Sequence, residues 1–494
     1  MRILAIVALL LPAPAGDQPQ WGQKGTRNMV SEETGLPETF DPASGAGILW
    51  TARLGTETYS TPIVAGGRVL IGTNNEHPRD PRLPEDRGVL LCLDARDGKL
   101  AWQLALSKRG PTPYWDWPKS GMASPATVDG DRVFMVTNRG EVVCLDLQGM
   151  ANGNDGPFKD EGALFVEKGT PPLEPGPADA DVLWLCDLTK EAGVRQHDSA
   201  HCSILVDGPF LYVNTSNGLN DKHSAVENPE APSLVVLEKA TGRILAREKE
   251  GIARGTFHCT WSSPSVGDVN GRRLVFLGGG DGVCYAFEAL REAPSGELPA
   301  PLKLAWKFDC DPAAPKEDIH KYVRNRKEGP SNISSMPVFH DGRVYVTHGG
   351  DVWWGKNQAE LKCIDATKSG DVTTSALVWS SPLRLHSMST AAIRDGLVYV
   401  SDSGKTLHCI DAATGKSVWT HDAEGEMWAS PLLADGRIYI GTRGKLFWIL
   451  AAGREKRVLA RIPLKEAVCS TATAAGGVLY VATQETLYAI AKPR

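Results

Sequence analysis

The sequence holds no run of about 20 apolar residues, the length a helix needs to cross a bilayer; its longest run, Ile3 to Leu11, is far shorter. It has no excess of positive charge. Lys and Arg number 53 against 59 Asp and Glu, a net charge of -6, which argues against nucleic acid as the main partner. There is no Gly-x-Ser-x-Gly elbow, no His-Glu-x-x-His, no P-loop and no Cys-x-x-Cys pair, so the usual local emblems of hydrolase, zinc-protease, nucleotide and zinc-ribbon chemistry are missing. Helix-period apolar patterning is scarce beyond the first residues. Turn formers are abundant, with Gly 51 and Pro 33, as a turn-rich all-β chain requires.

What is present is a repeated phrase. One copy reads Ser430-Pro431, an apolar stretch, Asp435-Gly436-Arg437-Ile438-Tyr439-Ile440-Gly441-Thr442, then Gly444 and another apolar stretch. An earlier copy ends in Cys409-Ile410-Asp411-Ala412-Ala413-Thr414-Gly415-Lys416 and Trp419. Short apolar runs separated by turns predict four strands per copy. A lone sheet of that size cannot bury both faces, so the copies must stack.

Aligned on the first strand, the copies fall at Pro62, Pro125, Ile204, Pro264, Pro337, Ala391, Pro431 and Ala472. Tight hairpins are expected at Gly66-Gly67, Asp129-Gly130, Asp207-Gly208, Asn270-Gly271, Asp341-Gly342, Asp395-Gly396, Asp435-Gly436 and Gly476-Gly477, pairs that tolerate positive φ. The fourth strand carries Trp102, Trp184, Trp306, Trp379 or Trp419, with Ala246 and Ala460 in two copies. The last copy is one strand short, and Ile48-Leu49-Trp50-Thr51 supplies it. The reading is an all-β, eight-bladed β-propeller whose last blade is closed by the N-terminal strand near 48–53. Closure removes the open sheet edges.

The pattern from Asp411 to Trp419, and again from Asp94 to Trp102, resembles the tryptophan-docking motif of pyrroloquinoline-quinone-like (PQQ-like) propellers. The resemblance runs from about residue 20 to 494 and extends to exported bacterial proteins of this class. It implies the fold firmly and the activity hardly at all. Quinoprotein dehydrogenases of this class place a quinone over a tryptophan, with calcium held by Glu and Asn. By that resemblance Trp261 or Trp428, Glu57 or Glu426, and Asn332 would take those parts, and PQQ and calcium belong only to this alternative reading. Two departures weaken it: no adjacent cysteines occur, and no Cys-x-x-Cys-His that would carry a haem. The chain also resembles in fold the propeller lipoprotein of outer-membrane protein assembly, without the lipid-bearing cysteine.

A site is expected where the inner strands open on one face. Residues three before each marker should share a side: Tyr59, Met122, His201, Trp261, Ser334, Met388, Trp428 and Cys469. Five before are Glu57, Ser120, Ser199, Cys259, Asn332, His386, Glu426 and Ala467. Insertions at 74–88, 110–120, 217–232 and 350–360 bring His77, Tyr114, Trp115, Asp116, Trp117, His223, Trp353 and Trp354 to the same face. The candidate ligand-binding residues are therefore Glu57, Tyr59, Trp115, Trp117, His201, His258, Trp261, Asn332, Trp353, Trp354, His386, Glu426 and Trp428. No catalytic residue and no metal ligand is assigned. Removing Trp261 or Trp428 should abolish binding with little change in melting. Another insertion, 148–181, belongs to the opposite face and reads as a loose solvated loop.

His197 and His201 have the spacing of a helical metal pair, but they are expected to run into a strand, where residues four apart lie ~13 Å apart. Cys92, Cys144, Cys363 and Cys409 read as small buried hydrophobes; the remaining six cysteines leave a pair possible. Met1-Arg2, the apolar run and Ala13-Pro14-Ala15 read as a signal peptide over residues 1–15. The rest, 16–494, is then a single propeller domain, exported to the periplasm or beyond, monomeric and without a membrane span. The expected role is a binding or scaffold module for a protein, peptide or glycan, with no firm cofactor. The alternative is a quinone-dependent oxidoreductase using the central channel.

Overall fold

The computed structural model describes residues 16–110 and 112–492, so the leader reading falls outside it. The apolar runs of each repeat are three to eight residues long and end at turns, so each folds as an antiparallel sheet rather than a helix. Eight sheets result. Blade 1 contains Ile63–Ala65, Arg68–Asn74, Arg87–Asp94 and Leu100–Ser107. Blades 2 to 7 repeat that order along the chain. In blade 8, Ile48–Arg53 lies antiparallel to Thr486–Ile490, with Trp50 opposite Ala489. The head of the chain completes the sheet begun by its tail. Two blades gain a short fifth strand, Ala300–Pro301 and Gly370–Asp371, paired in parallel at the outer edge.

The outer-strand tryptophans tie neighbouring blades together. Trp102 faces Cys92 across its own sheet and donates from its indole N–H to the Leu147 carbonyl of blade 2 at 2.9 Å. Trp50 does the same to Ala95 at 3.0 Å, and Trp379 to Ala412 at 2.9 Å. Ala246 and Ala460 hold the matching register in the two blades without tryptophan. Burying one such ring removes about 150–250 Å² from water, roughly 4–6 kcal/mol at ~25 cal/mol/Å² before ordering entropy. In four of these contacts the slot that receives the ring has room only for glycine: Gly98, Gly149, Gly242 and Gly415. A Cβ on Gly98, whose φ is +72°, would sit 2.5 Å from the Trp50 ring.

Several details depart from expectation. In blades 2 and 3 the hairpin lies one residue later, at Gly130-Asp131 and Gly208-Pro209. Only the glycines have positive φ there, 63° and 59°; in blade 3 Pro209 cannot adopt it. Residues 148–181 are largely solvated, as expected, but anchored rather than loose. They form short helical turns at Gly149–Asn152 and Glu161–Leu164 and bury Phe165, whose carbonyl accepts from Arg87 at 2.6 Å. All ten cysteines are free and buried, so none of the six left open is paired.

The hub is not an open hole. Residues 17–33 run along the inner strands and close one end. Gln18 bridges Val64 of blade 1, Pro19 accepts from Val128 of blade 2, and Gly25 accepts from Val266 of blade 4. Thr26, Asn28 and Met29 continue to blades 5, 6 and 7. Arg27 is fully buried and donates to the carbonyls of Pro264, Trp21 and Ser203 and to the Ser203 hydroxyl. Burial pulls its pKa down to about 10. The segment satisfies inner-strand groups that a bare channel would leave to water. No helix among the described residues is long and apolar enough to cross a membrane.

Candidate functional site

Above that floor a cavity of about 560 Å³ opens at the hub. Trp21 of the N-terminal segment forms part of its floor and donates to Thr471 at 3.1 Å. The inner-strand column supplies Tyr59, His201, Trp261, Ser334, Met388, Trp428 and Cys469 to its wall; Met122 is buried instead. The insertions add Tyr114, Trp117, His223, Trp353 and Trp354.

The aromatic rings form a connected wall. His201 packs on Trp261 at 4.4 Å between centroids, Trp261 meets Trp353 edge-on at 5.2 Å, and Trp353 meets Trp428 at 5.7 Å. Trp428 stacks with Tyr59 at 6.1 Å. On the other side His223 lies 5.1 Å from Trp354 and 4.7 Å from Tyr114. Trp261 is only 9 % exposed, and its indole N–H is buried without a partner. Because the ring is so buried, its removal also costs stability. Trp353, 37 % exposed, separates binding from packing more cleanly.

Seven of the candidate residues thus line the cavity: Tyr59, Trp117, His201, Trp261, Trp353, Trp354 and Trp428. Glu57 and Glu426 stand behind it. Glu57 accepts from the Tyr59 hydroxyl at 2.9 Å, and Glu426 accepts from the Trp428 indole at 2.8 Å. The Arg443 guanidinium lies 3.9 Å over the Trp428 ring and also reaches Glu426. Trp115, Asn332 and His386 are not on the wall. Trp115 packs under the Arg195 guanidinium at 5.1 Å, Asn332 bridges Gly349 through its backbone, and His386 Nδ1 lies 2.9 Å from the Gly350 carbonyl.

His258 is buried behind the wall in a polar cluster that the sequence did not single out. It comes from the link into blade 4, His197 from the link into blade 3, and His223 from the loop after Phe210–Asn214. The segment 197–201 is not extended as expected. Asp198 and Ser199 both have positive φ, 56° and 73°, which turns the chain, so His197 joins this cluster while His201 packs on Trp261. Gly218 permits the close approach, since a Cβ there would sit 2.6 Å from His197 Cβ.

His258 Nδ1 lies 3.1 Å from Asp351 Oδ2. Asp351 Oδ1 in turn accepts from the backbone N–H groups of Trp353 and Trp354, at 3.0 and 2.8 Å, and so sets the tryptophan loop. Burial opposes charge on His258, but the Asp351 and Asp198 carboxylates outweigh it and hold its pKa well above the ordinary histidine range. Burial drives His197 the other way, to about 3, and His201 to about 4. Neutral imidazoles, a carboxylate pair and a wall of indoles therefore meet at one side of the cavity.

Calcium takes six to eight oxygen ligands. Glu57 and Glu426 are engaged by Tyr59, Trp428 and Arg443, Asn332 is off the wall, and the donors that converge beside the cavity are imidazole nitrogens with two carboxylates, Asp198 and Asp351, already facing His258. Arg443 also occupies one face of Trp428. These residues do not fit a calcium-quinone pair.

The family model described as outer membrane protein assembly factor BamB matches residues 22–154, 86–286 and 359–492. No curated protein matches the chain. Among solved structures, BamB from Moraxella catarrhalis is 14 % identical, covering 89 % of this chain and 98 % of its own, with a TM-score of 0.55. A europium-containing methanol dehydrogenase is 11 % identical over 96 % of this chain and 98 % of its own, TM-score 0.60. The quinohemoprotein alcohol dehydrogenase from Comamonas testosteroni is 13 % identical over 96 % and 80 %, TM-score 0.59. At these identities the likeness is one of fold.

Proposed function

Because this chain belongs to the PQQ-like β-propeller family of the assembly factor BamB, we propose that it is a binding module whose hub-mouth cavity holds its ligand. The observation that supports this is the wall itself. A cavity of about 560 Å³ is of the size that suits a small ligand or the end of a chain. Its indole faces suit a sugar ring or an aromatic peptide side chain. The charges of Asp198 and Arg443 on the lining supply polar contacts that fix orientation. A glycan or peptide terminus is the occupant that matches both features, and an exported location is where the family resemblance would put it.

The oxidoreductase alternative shares the fold but asks for an oxygen-donor metal set that these side chains do not offer. The test is a panel of short oligosaccharides and aromatic peptides read by tryptophan fluorescence. Saturable quenching by at least one class is expected. Dye-coupled alcohol oxidation after addition of the quinone and calcium would overturn the binding reading.

A further inference from the structure

We infer that the three histidines clustered at one side of the cavity, of which His223 faces it and His197 and His258 lie behind, form a binding site for a zinc-class divalent metal ion, with His197, His223 and His258 as ligands through Nε2. The ligand atoms of the three lie within 4.8 Å of one another. His197 Nε2 and His223 Nε2 are 3.2 Å apart. A tetrahedral ion with ~2.0–2.1 Å bonds separates its ligands by about 3.3 Å, so that pair is already spaced for a shared ion.

The opposite ring nitrogens are committed elsewhere. His197 Nδ1 lies 2.9 Å from the Leu219 carbonyl, which can only accept, so the proton belongs on Nδ1 and the Nε2 lone pair is free. Arg195 also approaches Nδ1, at 3.2 Å, but its charge is met by Asp221. His258 Nδ1 is held by the buried Asp351 carboxylate. Metal-binding histidines are oriented in this way, by a carbonyl or carboxylate behind the ring.

A second observation points to an ion. His258 is 1 % exposed, and its Nε2 faces the Asp198 carboxylate without making a well-aligned hydrogen bond, so an ion bound there would take the place of the proton on that nitrogen. Buried polar atoms left in this state are rare and ask for an occupant. Asp198 Oδ2 stands 3.3 Å from that atom and 3.7 Å from His197 Nε2, supplying negative charge at the edge of the site. Imidazole donors select zinc, cobalt, nickel or copper over calcium or magnesium. His223 and Asp198 face the cavity, so the side left open is toward the ligand space. Three protein ligands with one open position describe a metal that can also take a water or a ligand oxygen. The site does not depend on what fills the cavity.

The experiment uses the full chain freed of metal by chelator and dialysed. Zinc is titrated by calorimetry, cobalt by its visible absorption, with calcium as the comparison ion. One zinc per chain is expected, with intense tetrahedral-type cobalt bands and no competition from calcium. His223→Ala, at the half-buried edge, should weaken zinc at least about tenfold while the metal-free protein melts as wild type does. His386→Ala, outside the cluster, should bind zinc unchanged. Sub-stoichiometric binding by the wild type, or equal binding by wild type and His223→Ala, overturns the inference.

Discussion

Asp351 and His258 are bound to each other at 3.1 Å although one belongs to a loop of blade 5 and the other to the link into blade 4. The same carboxylate caps the backbone of Trp353 and Trp354, so one side chain couples the histidine cluster to the aromatic wall. Asp351→Ala should destabilise the protein by about 3–5 kcal/mol, the cost of stranding one member of a buried ion pair. Asp351→Asn keeps an oxygen for the two N–H groups and should cost less. Denaturant unfolding of the two variants checks the order, and equal losses would mean the ion pair with His258 carries the whole effect and the backbone caps add nothing.

Wheel closure is tested at two glycines with similar backbones. Gly67 and Gly98 have φ of +74° and +72°, but only Gly98 has a ring, that of Trp50, packed on it. Gly67→Ala should cost about 1 kcal/mol from its backbone conformation alone. Gly98→Ala should cost about 1–3 kcal/mol more, because the ring must move. Equal melting temperatures for the two variants would show that the Trp50 contact adds nothing.

The wheel was legible in the sequence because its cause is local. A two-residue hairpin, a four-strand phrase and a tryptophan in most blades are written in neighbouring residues, and a missing strand at one end can be matched to a spare one at the other. The inner-strand column was legible for the same reason, since alternation alone aims Tyr59, Trp261 and Trp428 at the hub. The floor was not. Arg27 and Asn28 have no pattern of their own and bind backbone groups hundreds of residues away. The histidine cluster was hidden too. His197, His223 and His258 come from three connections, and the local His197–His201 spacing pointed to the wrong partner.

The floor itself gives a prediction. Arg27 makes four hydrogen bonds from a fully buried guanidinium. Arg27→Met keeps much of the volume but leaves buried carbonyls unpaired, at about 1–3 kcal/mol each. A drop of several kcal/mol in unfolding free energy is expected, together with faster exchange of the Val266 and Phe339 amides that pair with the segment. Unchanged exchange would mean the floor stays seated without Arg27.

Acid stability should report Asp281. Burial raises its pKa to about 6, above the ordinary 3.8, against the pull of hydrogen bonds from Tyr285 and Val283. The folded state therefore favours the protonated acid. Its stabilisation is complete below pH 3.8 and is lost as pH rises through about 6. The contribution falls by at most about 1.4 kcal/mol per pH unit. Asp281→Asn should flatten that slope between pH 4 and 6; a slope identical to wild type contradicts the assignment.

The central claim is that the indole wall binds rather than merely fills the hub. Trp353→Ala, read side by side for melting temperature and for retention of whichever oligosaccharide or peptide quenches the wild type, tests it most directly. The account predicts melting within a few degrees of wild type and loss of binding. A large fall in melting temperature with binding intact would contradict it.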